Sequence, residues 1–244
     1  MRKQTWPFPA PLVRGTLVKR YKRFLADVCL EGGQEITAHC PNTGSMKTCW
    51  NEGDEVWLSK SDNAKRKLPY TWELTKTQGG YIGVNTARPN QVVEWAIYQK
   101  LIPELCQWTE LKREVAYGNE KSRIDIRLNL EKSEKEENDR YCFIEIKNTT
   151  LYLDRQIQFP DAVTLRGQKH IRELVEQVRL GHRGVMFYFV NRPEGDTFAP
   201  ADSIDPEYGK LLRQAQENGV EILAYRGQGT PEGYQIGEKM PLKL

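Results

Sequence analysis

The chain has 244 residues, 39% of them hydrophobic and 28% charged, with a formal net charge of +3 at neutral pH. It is long enough for one large domain or two modest ones, and so mild a charge means that any surface for a polyanion must come from local clustering. Five cysteines without a C-x-x-C pair argue against a disulfide framework or structural zinc, and neither a signal-peptide apolar segment nor a run of transmembrane length is present, so the expectation is a cytoplasmic protein with no membrane contact.

The first third is dense in strand signals. LVRGTLVKRYKRFLADVCL predicts a long strand or a bent pair with Gly15 at the bend, and Glu31-Gly32-Gly33-Gln34 a turn before the short strand EITAHC. Pro41-Asn42-Thr43-Gly44 is a second turn, followed by EVWLSKS, YTWELTKT, a Gly79-Gly80 turn and YIGVNT. Short strands at this spacing, punctuated by proline and glycine, predict a small closed or partly open β-barrel over residues 1–85, with an OB-fold the first choice.

From Asn90 the period changes. NQVVEWAIYQKLIPEL places Val93, Ile97 and Leu101 on one helical face, with Asn90 as a cap, and LKREVAYG reads as a strand. SRIDIRLNL and YCFIEIKN alternate apolar and polar residues and are joined by the polar EKSEKEENDR, which predicts a hairpin with a solvated connection. TLRGQKHIRELVEQVRLG is helical, with an apolar stripe of Ile171, Leu174, Val175 and Val178, a cap at Thr164 or Asp161, and Gly181 at its end. GVMFYFV suits a strand buried on both faces, IDPEYGKLLRQAQENG a helix and VEILAYRG a last strand. The order α-β-β-β-α-β-α-β predicts a separate mixed α/β domain over residues 86–244.

The hairpin carries the chemistry. Ile124, Ile126 and Leu128 would share one face of its first strand, leaving Asp125 and Arg127 on the other. In the second strand, Phe143, Glu145 and Lys147 would oppose Cys142, Ile144 and Ile146. Two convergent carboxylates suit a hard cation, Mg2+ or Mn2+, and a neighbouring lysine can orient or deprotonate a water or offset charge on a phosphate. Asp125 followed by Glu145-Ile146-Lys147 resembles the Asp…(Asp/Glu)-x-Lys signature of restriction-endonuclease-like nucleases; a surface hairpin with cross-strand ion pairs would use the same residues. Glu114, on the adjoining strand, is a further candidate ligand, and Glu94 a weaker one that reads better as a solvated residue. Gln168 lies about 60° from Ile171 on the helical wheel, where it reaches the metal site or sits at the core rim. His170 reads as a surface residue or a partner of a ligand, not as a ligand itself.

Three basic clusters point to nucleic acid: Lys19, Arg20, Lys22 and Arg23 around Tyr21 and Phe24; Lys65, Arg66 and Lys67 before Tyr70 and Trp72; and Arg166 with Lys169. Cations track phosphates while rings stack on bases. The strings LVKRYKRFLADV, AHCPNTGSM, SDNAKRKLPYTWEL, SRIDIRL, IEIKNTTL, FPDAVTLRGQKHIREL and GVEILAYR resemble, in the same order, the bacterial sugar fermentation stimulation protein family. The resemblance implies a DNA-binding protein with an N-terminal OB-fold and a C-terminal nuclease-like domain, described as regulating sugar (maltose) use. By position, Asp125, Glu145 and Lys147 match the acidic motif and Gln168 falls in RGQKH, while Ser45 stands where alanine is common. Two functions are therefore expected of it: largely sequence-independent binding of single- or double-stranded DNA, or metal-dependent cleavage at the acidic motif. A carbohydrate-handling role has no sugar-phosphate loop or glycosidase-like acid pair behind it.

Overall fold

The computed structural model describes residues 4–118, 122–131 and 140–244. A two-residue strand, β1 (Trp6–Pro7), precedes β2 (Val13–Tyr21), β3 (Leu25–Leu30), β4 (Glu35–His39), β5 (Glu55–Lys60), β6 (Tyr70–Thr77) and β7 (Gly80–Gly83). β2 pairs with β3 and β5, β3 with β4, and β4 closes onto β6 at His39 and Thr71, giving a five-stranded barrel of OB topology with β7 appended to β6. Alternation puts Leu17, Val28, Ala38, Val56, Leu58 and Trp72 inside it.

The chain reverses between β2 and β3 not at Gly15 but at Lys22 and Arg23, which have φ of 49° and 64°. Gly15 stays in the ladder between Leu30 and Val56. A Cβ there would lie 2.5 Å from Val28 Cγ1, so this glycine serves close packing and makes no bend.

The rest of the chain runs α1 (Arg88–Tyr98), β8 (Glu110–Tyr117), β9 (Ser122–Asn129), β10 (Tyr141–Thr149), β11 (Leu151–Leu153), β12 (Gln156–Phe159), α2 (Leu165–Arg179), β13 (Arg183–Val190), β14 (Phe198–Pro200), α3 (Pro206–Glu217), β15 (Glu221–Thr230) and β16 (Gly233–Lys239). Most of these strands form one sheet in the order β1-β16-β15-β13-β10-β9-β8, while β11, β12 and β14 form a small one. β10, β13 and β15 are parallel, and β13 is buried on both faces, as its unbroken apolar run predicts. Cys142, Ile144 and Ile146 pack on one face with α1, whereas α2 and α3 cover the other through Ile171, Leu174, Tyr208 and Leu212. Thr164 caps α2 by accepting from Gly167 N (3.0 Å). No described helix is long and apolar enough to cross a membrane.

Two expectations change. β1 pairs with β16, so the stretch assigned to the barrel begins with a strand of the other sheet, drawn there by Trp6 and Phe8 packing on Tyr234. Asn90 does not cap α1, because Arg88 and Pro89 already open it; Pro89 tolerates the first turn, where no N–H partner exists. The barrel and the sheet also share a packing surface, since Leu74 of β6 lies in the apolar cluster of α1 and β10. The polar hairpin connection falls on residues 132–139, outside the described residues; its ends are tied by Leu130 N donating to Arg140 O (2.9 Å).

Candidate active site

β9 and β10 pair in register from Asn129–Tyr141 to Ile126–Ile144, and there the ladder stops. One step further the register would oppose Asp125 to Glu145. Instead the Asp125 carboxylate takes over the ladder: Oδ2 accepts from Ile146 N (2.7 Å) and Oδ1 from Asn90 Nδ2 (2.8 Å). Across β8, Glu114 has φ of 50°, between the pairs Arg113–Ile126 and Val115–Ile124. The ribbon turns over at this point. Ile124 consequently packs with Tyr117, Phe143 and α2, in the opposite core from Ile126 and Leu128, contrary to simple alternation.

Glu145 is buried beside this break. Its Oε1 accepts from Lys147 Nζ (2.7 Å) and from His170 Nδ1, while its Oε2 is buried with no hydrogen-bond partner. Arg166 Nε lies 3.4 Å from His170 Nε2 and Lys147 Nζ 3.3 Å from its Nδ1, so the ring sits among two cations and the Glu145 carboxylate. Burial works against the Glu145 charge, but Lys147 and His170 outweigh it and hold its pKa below the usual carboxylate range. Asp125 goes the other way. Burial, and then the Glu145 charge, push its pKa up to about 6 despite the bonds from Ile146 and Asn90.

These groups line a cavity of about 390 Å³. Its far wall belongs to the barrel: Asn42, Thr43 and Gly44, from the loop after β4. Asp161 pins that loop, accepting from Ser45 N (2.8 Å) and Ser45 Oγ (3.1 Å) instead of capping α2. A Cβ on Gly44 would lie 2.5 Å from Asp161 Oδ2, so only glycine permits this approach.

Asp125, Glu145, Lys147 and Arg166 thus meet in one place; other candidates do not. Glu114 is exposed and lies outside the cavity lining, because its left-handed backbone breaks the alternation that would aim it inward. Glu94 is paired with Arg113 (3.3 Å). Gln168 is buried, but its amide donates to both oxygens of Asp205, the cap of α3, so it joins two helices instead of facing the cavity. His170 is no surface residue; it bonds a site carboxylate, and Asn90, read as a cap, holds the other. His170 was signalled only by its position two residues after Gln168, and the Asn90 bond by nothing local.

Two of the three basic clusters adjoin the barrel seam where β4 meets β6, and the third, Arg166 with Lys169, lies on α2. Leu25 pairs with His39, His39 with Thr71, and Arg66 Nη2 donates to Thr71 Oγ1 (2.8 Å). Lys22, Arg23, Lys65 and Lys67 are exposed around it. Lys19 pairs with Asp27 (3.5 Å), and Lys169 is half-buried on α2. Arg20 is a structural clasp, its Nη2 donating to the carbonyls of Arg23 (2.9 Å), Asn42 (2.9 Å) and Gly44 (3.0 Å).

Among the described residues no group of three or more His, Cys, Asp and Glu side chains is arranged to hold a metal ion. The Asp125–Glu145 pair nevertheless fits a hard divalent cation that keeps most of its waters and takes one or two protein carboxylates. The unpartnered Glu145 Oε2 and the raised Asp125 pKa both mark a place short of positive charge.

Comparison with known proteins bears on the same architecture. The family model described as the SfsA N-terminal OB domain matches residues 18–84, and that of the sugar fermentation stimulation protein RE domain matches residues 87–233. The sugar fermentation stimulation protein homolog of Geobacter metallireducens is 52% identical over 236 residues, 97% of this chain and 99% of its own. That of Shewanella frigidimarina is 53% identical over 230 residues, covering 94% and 96%. The solved structure of Pyrococcus furiosus SfsA in complex with Ca2+ superposes with a TM-score of 0.85 at 25% identity, over 100% of both chains. With an OB barrel, a mixed α/β sheet, family models over both regions and about half the residues identical over nearly the full length, the chain belongs to the sugar fermentation stimulation protein family.

Proposed function

We propose that this protein binds DNA and hydrolyses its phosphodiester bonds at Asp125, Glu145 and Lys147, with Mg2+ or Mn2+ as the cation. The observation that carries the reading is the unpartnered, buried Oε2 of Glu145 beside Asp125 in a cavity that also holds Lys147. Asp125 and Glu145 would hold the cation, which when bound supplies Lewis-acid charge at a phosphate oxygen. The Ca2+ in the Pyrococcus furiosus relative supports a divalent ion here. Lys147, fixed by Glu145, orients the attacking water and offsets charge developing on the phosphoryl oxygens. Arg166, exposed at the rim, takes a flanking phosphate. Water forms one new P–O bond and releases a proton to solvent as the bond to the leaving sugar oxygen breaks, and that oxygen takes up a proton from solvent water. The basic seam supplies sequence-independent affinity.

A second reading is a DNA-binding regulator of sugar-metabolism genes without turnover. It is favoured by the lack of a third acidic or imidazole ligand among the described residues, and by both Asp125 oxygens already accepting hydrogen bonds. Labelled single- and double-stranded DNA, incubated with Mg2+, Mn2+ or EDTA and scored separately for binding and cleavage, decides between them. Cleavage that needs the cation and disappears in Glu145→Gln is expected. Binding without cleavage leaves the regulator reading, and absence of both overturns the two together.

A further inference from the structure

We infer that the cavity takes an unpaired nucleotide, from a single strand, a flap or a frayed end, and not the paired interior of a duplex. The inference rests on the nucleic-acid reading above and names its substrate class.

Size comes first. About 390 Å³ is the room given to one small molecule, and the carboxylates share its lining with the barrel loop and β12. A phosphodiester in an intact duplex carries its partner strand with it, across grooves about 6 and 12 Å wide, whereas the loop at Asn42–Gly44 bounds this cavity.

The loop is also fixed. Asp161 holds Ser45, Arg20 holds the carbonyls of Asn42 and Gly44, and the buried Arg192 donates to Thr48 Oγ1 (2.9 Å) and Thr150 O (2.6 Å). A wall bonded from three directions does not swing aside for a second strand.

The cavity also offers a base what it needs. Phe159 lines it, with its ring seated against Tyr188 and Tyr208 (centroids 5.6 and 5.3 Å). Gln158 lines it beside Phe159, and no hydrogen bond engages its amide among the described residues. A partly exposed aromatic residue and a spare amide in one lining serve stacking and base-edge recognition, neither of which a paired base can use from within its stack. Outside, Cys40 N donates to Phe24 O (2.8 Å), so the exposed cations of the seam adjoin the start of the wall and give the rest of the strand a track.

The test uses the full chain in two arms. In Mn2+, labelled single strand, flapped duplex and covalently closed relaxed duplex are compared; the first two should be cut at least about 100-fold faster than the closed duplex. In EDTA, a single strand carrying 2-aminopurine should change its fluorescence on binding while the same probe in a duplex does not. Gln158→Ala should weaken that signal and raise KM more than it lowers kcat, with the melting temperature unchanged; a merely structural role would move the melting temperature instead. Ser45→Ala, which loosens the wall by one hydrogen bond, should narrow the preference. Equal cutting of closed duplex overturns the inference and leaves the nuclease standing. A single-strand-specific fluorescence change without cleavage removes the nuclease and keeps the unpaired-nucleotide site, and equal fluorescence changes for both probes overturn that site.

Discussion

Two buried carboxylates, one in the barrel and one in the sheet, are treated in opposite ways. Glu73 of β6 is fully buried and fully satisfied: Oε1 accepts from Ser59 Oγ (2.7 Å) and Arg88 Nη2 (2.6 Å), Oε2 from Asn85 Nδ2 (2.9 Å) and Arg88 Nε (2.9 Å). Glu145 of β10 crowds two donors onto one oxygen and leaves the other bare. A closed set of partners makes Glu73 a joint between the barrel and α1. The open set at Glu145 is the feature on which the proposed cation site rests. Burial alone does not distinguish these two acids; the number of unmet oxygens does.

The largest effect should come from opening the closed joint. Arg88→Ala leaves Glu73 charged and buried, at an expected cost of ~3–5 kcal/mol in urea denaturation, whether or not divalent cations are present. A cost that vanished with added Mn2+ would mean that the two acids are not different in kind. At the open site, Lys147→Ala should lower cleavage ~10²–10⁴-fold while calorimetric Mn2+ affinity changes little. Parallel loss of both would make Lys147 a scaffold for the carboxylates instead of a partner of water and phosphate.

Asp125 sharpens the contrast through pH. Its folded pKa of about 6 lies above the ordinary 3.8, so the folded state holds the proton more tightly. That contribution is complete below about pH 4 and is lost as pH rises through 6, which amounts to ~3 kcal/mol by linkage. In EDTA the wild type should therefore lose stability over this window relative to Asp125→Asn, and at pH 7 Mn2+ should stabilise the wild type but not the variant. Identical pH profiles for the two proteins would show that the pair carries no charge frustration. Smallest of all, replacing Lys65, Arg66 and Lys67 together by alanine should leave both acids untouched and flatten the salt dependence of DNA binding, by ~0.9 in the log–log slope for each phosphate no longer neutralised. An unchanged slope would reduce this cluster to a solvated face.

Much of this was legible in residue order. The two-residue period of Cys142, Ile144 and Ile146 against Phe143, Glu145 and Lys147 assigns each side chain a face of β10, and the structure keeps that assignment. The change of period near residue 90 separates barrel from sheet, and Thr164 and Gly181 mark the ends of α2 because caps act within one turn.

Periodicity states which face a residue takes and says nothing of who waits there. Asn90 reaches Asp125 across 35 positions, Asp161 reaches Ser45 across 116 and β1 reaches β16 across nearly the whole chain. Glu114 and Gln168 carried the right chemistry in the right neighbourhood, yet a positive φ sends one to solvent and Asp205 captures the other. Sequence by itself determined the barrel and the strand pair that carries Asp125 and Glu145, since these follow from turn punctuation, two-residue periods and short-range spacing. Only the tertiary structure decided that a barrel loop walls the cavity and that one oxygen of Glu145 is left bare, because a hydrogen bond between distant segments depends on where the whole chain places its two ends.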